Sequence, residues 1–361
     1  MFNCYQNKRV LVTGNTGFKG SWLTLWLLKL GAKVAGLSVN IPSTPSFFET
    51  LQLEKEIKHY WVDVRDAVAV DKVFAEFQPE IVFHLAAQPI VSQSYSNPRE
   101  TFETNVMGMV NILHAIKNSS SVRSSVLITS DKCYENVEWA YGYREIDRLG
   151  GKDPYSASKA CAEIVAHAYW HSFFTDNSES AIATTRAGNV IGGGDWAVDR
   201  LVPDVVRSWS ENKELAIRRP HATRPWQHVL EPLSGYLCLG EKLYQSPHGL
   251  TGKSFNFGPR ENAMKSVVSV VEMFSEFWLK AQWKVYESDA MKESSLLKLD
   301  CSRAQHELDW SAALDFSQTI AFTAKWYQEY YQGAKDIKNY SLKQIDEYAA
   351  LAKKRGVLWA S

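Results

Sequence analysis

Short apolar runs alternate with amphipathic stretches along the first half of the chain. Apolar and β-branched residues cluster at positions 9–13, 34–39, 60–64, 81–86, 126–129 and 181–185, and each cluster predicts a strand. Helical spacing separates them at positions 18–30, 66–77, 98–117 and 154–174. Strands that alternate with helices are typical of a parallel sheet, and continuously apolar strands are typical of a sheet covered on both faces. The pattern predicts an α/β fold with a doubly wound parallel sheet.

The second half of the chain has a looser pattern. After Gly188 it is rich in Gly, Pro, Trp and Arg, and helical spacing is clearest at 201–212, 231–243 and 265–279. A length of 361 residues favours about two domains. We therefore expect a first domain over 1–188, to which short later segments return, and a smaller domain over 189–340. Residues 341–361 have helical spacing without a chemical signature and are expected to form a C-terminal helical tail.

Charge and cysteine content exclude several classes of protein. The 40 basic and 40 acidic side chains cancel, so the chain lacks the overall positive field that attracts nucleic acid or an anionic membrane. The five cysteines are scattered and never spaced as CxxC, which argues against a disulfide framework or a thiolate metal site. No apolar run is long enough for a bilayer span and the chain begins without a leader pattern, so we expect a cytoplasmic protein.

A glycine-rich turn follows the first predicted strand. Positions 14–20 read Gly-Asn-Thr-Gly-Phe-Lys-Gly and lead into a predicted helix. Glycines at such a turn let a pyrophosphate approach the backbone, and the N–H groups of the helix start bind its charge. A Rossmann-type dinucleotide site is favoured over a purely structural turn. The acidic residue that usually ends the second strand is missing, and Asn40 stands there, which leaves NAD and NADP both open on this motif.

Two further clusters carry acid–base chemistry. Asp153 and Pro154 predict a helix start, which places Tyr155 and Lys159 four residues apart on one face. An ammonium beside a phenol lowers the pKa of the phenol and makes it a general base. The alternative is an exposed aromatic beside a solvated lysine. Ser130, Asp131 and Lys132 end an apolar strand, where ligands bind in open parallel sheets, although a solvated turn is equally open for this segment alone.

Six motifs follow one another in a fixed order, and together they are far more specific for a family than any one of them. They are residues 14–20, 84–88, 104–108, 130–132, 155–159 and 186–190. On these motifs the chain resembles the extended short-chain dehydrogenases/reductases, and among them the nucleotide-sugar 4,6-dehydratases, over about residues 8–326. Within that family, residues 130–134, 189–196 and 224–229 resemble the members that act on CDP-glucose.

The resemblance implies a cofactor and its contacts. The first domain would bind NAD and the second would bind the nucleotide sugar. The residues implied to hold NAD are Gly14, Thr16, Gly17, Phe18, Gly20, Asn40, Asp63, Val64, Leu85, Ala86, Ala87, Asn105, Tyr155 and Lys159.

It also implies a reaction. CDP-glucose would lose water to give CDP-4-keto-6-deoxyglucose, a step in deoxysugar biosynthesis of the kind that supplies O-antigen and lipopolysaccharide. Tyr155 would take the proton of the 4-hydroxyl while NAD accepts hydride from C4, and the hydride would later return to C6. By similarity Ser130 would bind the 4-hydroxyl, Lys159 would tune Tyr155, and Asp131 would protonate the departing 6-hydroxyl. The dTDP-glucose enzymes have a glutamate where Lys132 stands, so Lys132 acts as the base only if its pKa is depressed.

The remaining predictions concern binding surfaces. Guanidinium groups suit diphosphate oxygens, and the substrate contacts are expected to be Asn189, Arg200, Arg218, Arg219 and Arg224.

His167 and His171 have a metal-ligand spacing but no third ligand is evident, so no metal is expected. The family resemblance implies a homodimer, or a dimer of dimers, formed through helices 98–117 and 154–174. No nucleic-acid or membrane partner is expected.

Two alternatives stay open at this point. The same fold and cofactor would serve a nucleotide-sugar 4-epimerase or a net oxidoreductase, neither of which needs an acid at the 6-hydroxyl. A catalytically silent dinucleotide-sensing protein is the other alternative, although such proteins often lose the Tyr/Lys pair that is intact here.

Overall fold

A computed structural model describes residues 2–175, 178–217, 219–260, 264–286, 296–334 and 336–360. The strands are β1 Arg9–Thr13, β2 Lys33–Ser38, β3 Lys58–Trp61, β4 Ile81–His84, β5 Ser124–Ile128, β6 Ala181–Arg186, β7 Val190–Ile191, β8 Leu215–Ile217, β9 Thr223–Pro225, β10 Gln227–His228, β11 Ser254–Asn256, β12 Met264–Ser266 and β13 Trp283–Val285.

The α-helices follow the same chain order. They are α1 Phe18–Lys29, α2 Phe47–Thr50, α3 Ala67–Phe77, α4 Val91–Ser96, α5 Pro98–Phe102, α6 Gly108–Asn118, α7 Pro154–Phe173, α8 Leu201–Ser210, α9 Leu230–Gln245, α10 Val267–Ser275, α11 Ser302–Leu308, α12 Phe316–Tyr331 and α13 Ile337–Lys354.

The largest sheet has seven parallel strands in the order β3-β2-β1-β4-β5-β6-β11. The glycine-rich turn follows an interior strand of this sheet, because β1 pairs with β2 on one side and with β4 on the other. The predicted doubly wound parallel sheet is thereby confirmed. The third strand occupies Lys58–Trp61 rather than the predicted 60–64.

Strand β11 was not predicted from the sequence. Its three residues come from the second half of the chain and pair with β6 in parallel, with Ser254 beside Thr184. Three residues carry too little periodicity to stand out in a sequence, so only the long-range pairing with β6 reveals this strand.

Apolar helices cover both faces of the sheet. On one face Trp22 and Trp26 of α1 pack with Tyr236 of α9 in one core cluster. On the other face α3, α6 and α7 contribute to a second cluster, which includes Val70 and Ile112. The continuous apolar strands of the sequence have this two-sided burial as their physical cause.

Two predicted helices differ from the observed ones. The helix over 98–117 contains a π-helical turn, Glu103–Met107, between α5 and α6. The helix over 265–279 begins only at Val267, because Met264–Ser266 pairs with β9 and the Ser266 side chain caps the helix.

The C-terminal segment is helical, as predicted, but α13 begins at Ile337 rather than at 341. It is tied to the core by two buried hydrogen bonds. Trp326 Nε1 donates to Ser341 Oγ at 2.9 Å, and Tyr348 OH donates to Glu231 Oε2 at 2.7 Å.

Among the described residues, no helix has the length and apolarity to cross a bilayer. His167 and His171 lie on the exposed side of α7 with their Nε2 atoms 3.2 Å apart. Within the described part of the chain, no group of three or more His, Cys, Asp or Glu side chains is arranged to hold a metal ion.

Candidate active site

The turn after β1 requires glycine at two positions. Gly14 has a φ of +71°, and a Cβ there would lie 2.7 Å from the backbone nitrogen of Ala86. A Cβ on Gly20 would lie 2.1 Å from the carbonyl oxygen of Gly14. At Gly17 the nearest atom would be 3.4 Å away, so this side of the turn has room. Helix α1 starts after Gly17 without a side-chain cap, and its N-terminus suits a phosphate.

Asn15 in the same turn was overlooked in the sequence. Its Oδ1 accepts a hydrogen bond from Ser38 Oγ at 2.8 Å, and its Nδ2 lies 3.2 Å from His59 Nδ1. The predicted ribose contact Asn40 has an exposed side chain, while its carbonyl accepts from Thr16 Oγ1 at 2.7 Å. Asn15 and Thr16 thus attach the turn to the ends of β2 and β3.

The other predicted cofactor contacts follow β3 and β4. Asp63 Oδ2 accepts a hydrogen bond from Arg65 Nη2 at 2.6 Å. Partial burial raises the pKa of Asp63, but the hydrogen bonds from Arg65 outweigh burial, so this pKa lies below its ordinary value. Val64 is buried near Gly108. The segment Leu85, Ala86 and Ala87 lies against the glycine-rich turn, where the Ala86 N–H donates to Thr13 Oγ1 at 3.2 Å.

The predicted acid–base groups Ser130 and Asp131 stand at the end of β5. Ser130 Oγ accepts from the backbone N–H of Lys132 and donates to Asp131 Oδ1 at 3.1 Å. Asp131 is buried and packs against Gly188, whose added Cβ would lie 1.8 Å from Asp131 Oδ2. Lys132 is half-buried in the same short turn.

Helix α7 begins as the sequence predicts. The Asp153 carboxylate accepts from the Ser156 N–H at 2.9 Å, and Pro154 occupies the first turn. Tyr155 and Lys159 are both buried. The Tyr155 N–H donates to Ser94 Oγ at 3.2 Å, and Lys159 Nζ lies 3.4 Å from the carbonyl oxygen of Ile128.

The pKa of Tyr155 moves in the direction opposite to our expectation. Burial raises it to about 12, the hydrogen bond with Ser130 lowers it, and the charge of Asp131 raises it. Burial also lowers the pKa of Lys159 to about 8, against the charge of Glu163. The net pKa of Tyr155 in the protein alone is therefore not lowered as predicted, because desolvation of the phenolate dominates. The effect of Lys159 on Tyr155 stays a prediction.

Asn105 lies in the π-helical turn and joins three segments of the site. Its Oδ1 accepts from the Gln88 N–H at 2.8 Å, and its Nδ2 donates to Ser158 Oγ at 2.9 Å. Ser158 Oγ in turn donates to the Tyr155 carbonyl at 2.7 Å. The π-helical turn therefore places one amide where it orients the start of α7, as such turns often do at functional sites.

Lys19 lies near the candidate acid–base groups and was missed in the sequence. Burial lowers its pKa to about 8; Arg200 and Lys159 act in the same direction, while Asp131 and Asp195 oppose it. The signal was present in the glycine-rich motif, which we interpreted as a backbone turn only. The structure thus adds a further cation near Asp131, Lys159 and Arg200.

The predicted substrate contacts are spread over the second half of the chain. Arg200 is near the catalytic groups and pairs with Asp195 at 3.3 Å. Asn189, with a φ of +51°, follows Gly188, and its carbonyl accepts from the Gln227 N–H at 3.2 Å. Arg219 lies between β8 and β9, and Arg224 lies on β9, where its Nη1 donates to the Thr223 carbonyl. Arg218 lies outside the described residues.

Comparison with known proteins places this chain in a family. The profile of the GDP-mannose 4,6 dehydratase family matches residues 11–323. The chain belongs to this family. The resemblance to nucleotide-sugar 4,6-dehydratases that the motifs predicted is confirmed.

Three similar proteins define the likeness further. A CDP-glucose 4,6-dehydratase of Salmonella typhimurium is 46% identical over 351 residues, which cover 96% of this chain and 97% of the relative. An epimerase of Methanothermobacter thermautotrophicus is 24% identical and has the same fold, with a TM-score of 0.80 over 92% of this chain and 95% of its own. A Thermus thermophilus UDP-glucose 4-epimerase, solved with NAD, is 25% identical with a TM-score of 0.76, covering 90% and 99% of the two chains.

Proposed function

We propose that this dehydratase-family member is an NAD-dependent lyase that converts CDP-glucose to CDP-4-keto-6-deoxyglucose and water. The observation that carries the proposal is the buried cluster of Ser130, Asp131, Tyr155 and Lys159, in a chain 46% identical to a CDP-glucose 4,6-dehydratase. The cluster combines a phenol, a carboxyl group and an ammonium at the carboxyl ends of parallel strands, where open α/β sheets bind ligands.

The residues of the first domain fit NAD. The glycine-rich turn has room at Gly17 and an uncapped helix N-terminus for a pyrophosphate, and the Thermus epimerase of this fold was solved with NAD. We propose Thr16, Phe18, Asn40, Asp63 and Val64 as further contacts, with Leu85–Ala87 and Asn105 on the other side of the turn. When bound, NAD supplies a hydride acceptor for C4 of the sugar and the hydride that is returned to C6.

Tyr155 takes the proton of the sugar 4-hydroxyl in this proposal. Since burial raises the pKa of Tyr155 to about 12, its phenolate needs nearby positive charge at neutral pH. The Lys159 ammonium supplies part of that charge, and an oxidised nicotinamide ring is itself cationic. Ser130, which is hydrogen-bonded to Tyr155, orients the hydroxyl that is to be deprotonated.

The elimination needs an acid and a base. We assign the acid to Asp131, which protonates the oxygen of the departing 6-hydroxyl while the C5–H bond breaks. Lys132 lies in the same short turn and is the candidate that removes the C5 proton. For the diphosphate, Asn189, Arg200, Arg219 and Arg224 remain the proposed contacts, together with Arg218.

A turnover assay tests the proposal. The purified protein is incubated with CDP-glucose and catalytic NAD, and the product is analysed by mass and by its absorbance in alkali. We expect a product lighter than the substrate by one water, with no net NADH. Stoichiometric accumulation of NADH would contradict the lyase assignment and indicate a simple dehydrogenase.

A second enzyme function is favoured by one observation, the similarity in fold to the two epimerases. A 4-epimerase returns hydride to C4 and leaves the 6-hydroxyl in place. The same assay separates the two functions, because an epimer has the mass of the substrate. We expect the dehydrated product because Asp131 stands beside Ser130 where an epimerase needs no acid.

Nucleotide preference is tested by competition. A pocket that pairs with the base edge of cytosine leaves buried polar atoms unpaired with another base, at a cost of about 1–3 kcal/mol for each such atom. CDP-, dTDP-, UDP- and GDP-glucose are supplied together under one condition. Turnover of dTDP-glucose equal to that of CDP-glucose would exclude the cytidine assignment and leave the dehydratase chemistry standing.

We also propose a homodimer or a dimer of dimers. Large apolar side chains are exposed on the helices that the family resemblance implies for the interface: Phe102 and Met107 on one, and Ile164 and Phe173 on the other. Pairing of these helices with a second copy would cover them. Sedimentation of the protein at micromolar concentration tests this, and a monomer would contradict it.

A further inference from the structure

Glu163 is a buried carboxylate on the helix that carries Tyr155 and Lys159. It lies one helical turn after Lys159, and its side chain is 2% exposed. Burial raises the pKa of Glu163, but the charge of Arg186 and the hydrogen bonds outweigh burial, so the pKa lies below its ordinary value. Glu163 is therefore ionised at neutral pH. The proposed chemistry assigns it no role.

The Glu163 carboxylate binds the end of β5 and the strands β6 and β11. Thr129 Oγ1, immediately before Ser130, donates to Oε1. Thr184 Oγ1 on β6 donates to Oε2 at 2.8 Å, and Ser254 Oγ on β11 donates to the same atom at 3.1 Å. One side chain thus joins α7 to the ends of β5 and β6.

Arg186 completes the arrangement from the other side. Its Nη2 donates to Glu163 Oε2 at 2.8 Å, and its side chain is 3% exposed. Its Nη1 donates to Tyr134 OH at 2.8 Å and to the carbonyl of Glu145 at 3.2 Å. Tyr134 follows the short turn that contains Asp131, so the ion pair holds the chain both before and after Ser130 and Asp131.

The charge of Glu163 also acts on Lys159. Burial lowers the pKa of Lys159, whereas Glu163 and the Cys133 thiol oppose that effect. Besides burial, the charge of Lys159 in turn lowers the pKa of Lys19 on α1 and of the buried His84 on β4. Glu163 is the acidic side chain that shares helix α7 with Lys159 and raises its pKa.

We propose that Glu163 and Arg186 are positioning residues of the active site, which hold Ser130 and Asp131 in register with Tyr155 and Lys159 and keep the Lys159 ammonium charged. The proposal rests on the dehydratase function proposed above. Stability alone is a weak reason to bury this pair, because replacing a buried ion pair with apolar side chains is often neutral or stabilising.

The main test is Glu163→Gln, which keeps the size of the side chain and removes its charge. We expect kcat to fall at least about tenfold while KM for CDP-glucose changes about twofold or less. Without the charge of Glu163 the pKa of Lys159 falls and the Tyr155 phenolate is less favoured. The alkaline limb of the kcat–pH profile, where Lys159 loses its proton, therefore moves to lower pH. A structural defect alone would lower kcat without moving that limb.

A second readout does not depend on turnover. Competitive labelling with acetic anhydride at several pH values, followed by mass spectrometry, measures the pKa of Lys159 in both proteins. We expect a lower value in Glu163→Gln. An unchanged Lys159 pKa would overturn the electrostatic part of the proposal even if the protein proved inactive on CDP-glucose.

Glu231→Gln is the matched control. Glu231 is as deeply buried and accepts hydrogen bonds from two backbone N–H groups and one tyrosine, but it binds the C-terminal helix. We expect it to leave kcat and the pH profile unchanged. Equal losses of kcat in the two variants, without a shift of the alkaline limb, would show that any buried carboxylate matters equally and would overturn the proposal.

Thr129→Val keeps the proposal testable if Glu163→Gln does not fold. It removes one hydroxyl between Glu163 and the strand end and leaves the ion pair intact. We expect a lower kcat with an unchanged pKa of Lys159. If Thr129→Val is folded by its melting temperature and turns over within about twofold of the parent, the positioning role is wrong.

Discussion

Gly188 and Asp131 are in such close contact that an added Cβ at position 188 would lie 1.8 Å from Asp131 Oδ2 and 2.2 Å from its Cγ. The proposed acid therefore has its place only while residue 188 has no side chain. We predict that Gly188→Ala displaces the Asp131 carboxyl group and lowers kcat by at least about tenfold. Steady-state turnover of CDP-glucose and the melting temperature are measured together.

Gly258→Ala is the control for that substitution. Gly258 is also buried, at the end of β11, but its added Cβ would meet Cys301 Sγ at 3.3 Å. A neighbour needs to shift by only a few tenths of an ångström there, so activity is expected to persist. If Gly188→Ala has the activity of Gly258→Ala, Asp131 does not need its observed position.

Tyr155→Phe tests the proposed base. The substitution removes the phenolic oxygen and little contact area, so we expect most turnover to be lost while CDP-glucose still binds. Calorimetric titration measures the binding. Tyr141→Phe, at a side chain that is 77% exposed, is the control. Near-normal turnover by Tyr155→Phe would show that another group takes the proton of the 4-hydroxyl.

Lys132→Met separates oxidation at C4 from elimination. If Lys132 removes the C5 proton, the variant oxidises the sugar and then stops, and absorbance of the reduced nicotinamide at 340 nm accumulates to about one equivalent per site. Rapid mixing with CDP-glucose measures it. Loss of turnover without that absorbance would place Lys132 in substrate binding or in the first step.

The parts of the site that the sequence predicted depend on local chemistry. Gly20 is required by a contact with Gly14 within one strand–turn–helix unit, and Asp153 caps the helix that carries Tyr155. The position of Ser130 follows from a simple rule, because it ends an apolar strand of a parallel sheet. Such features need only neighbouring residues to be recognised.

The features that the sequence did not predict depend on distant residues. Strand β11 is recognisable only by its pairing with β6, and Glu163 only by its contacts with Thr129, Arg186 and Ser254. The pKa of Tyr155 was predicted in the wrong direction for the same reason. The spacing to Lys159 is visible in the sequence, whereas the burial that outweighs it is a property of the folded chain.

Glu231 attaches the C-terminal helix to the core. Its carboxylate accepts from the N–H groups of Ala313 and Leu314 at 3.0 and 2.6 Å, and from Tyr348 OH on α13 at 2.7 Å. Burial raises the pKa of Glu231 to about 7, against these hydrogen bonds. The folded protein therefore retains a proton on Glu231 at pH values where the unfolded chain has lost it.

This difference predicts a pH-dependent stability. Below pH of about 4.5 Glu231 is protonated in both states, and its effect on folding is at its most favourable. Between about 4.5 and 7 only the unfolded chain loses the proton, so the free energy of unfolding decreases as pH rises, by about 3 kcal/mol in all.

Glu231→Gln, which stays neutral throughout, tests this prediction. We therefore expect its melting temperature to fall less than that of the parent between pH 5 and pH 8, by about 4 °C. The exposed Glu272→Gln is the control and should follow the parent. Equal pH dependence in all three proteins would mean that Glu231 titrates in the folded state as it does in the unfolded chain.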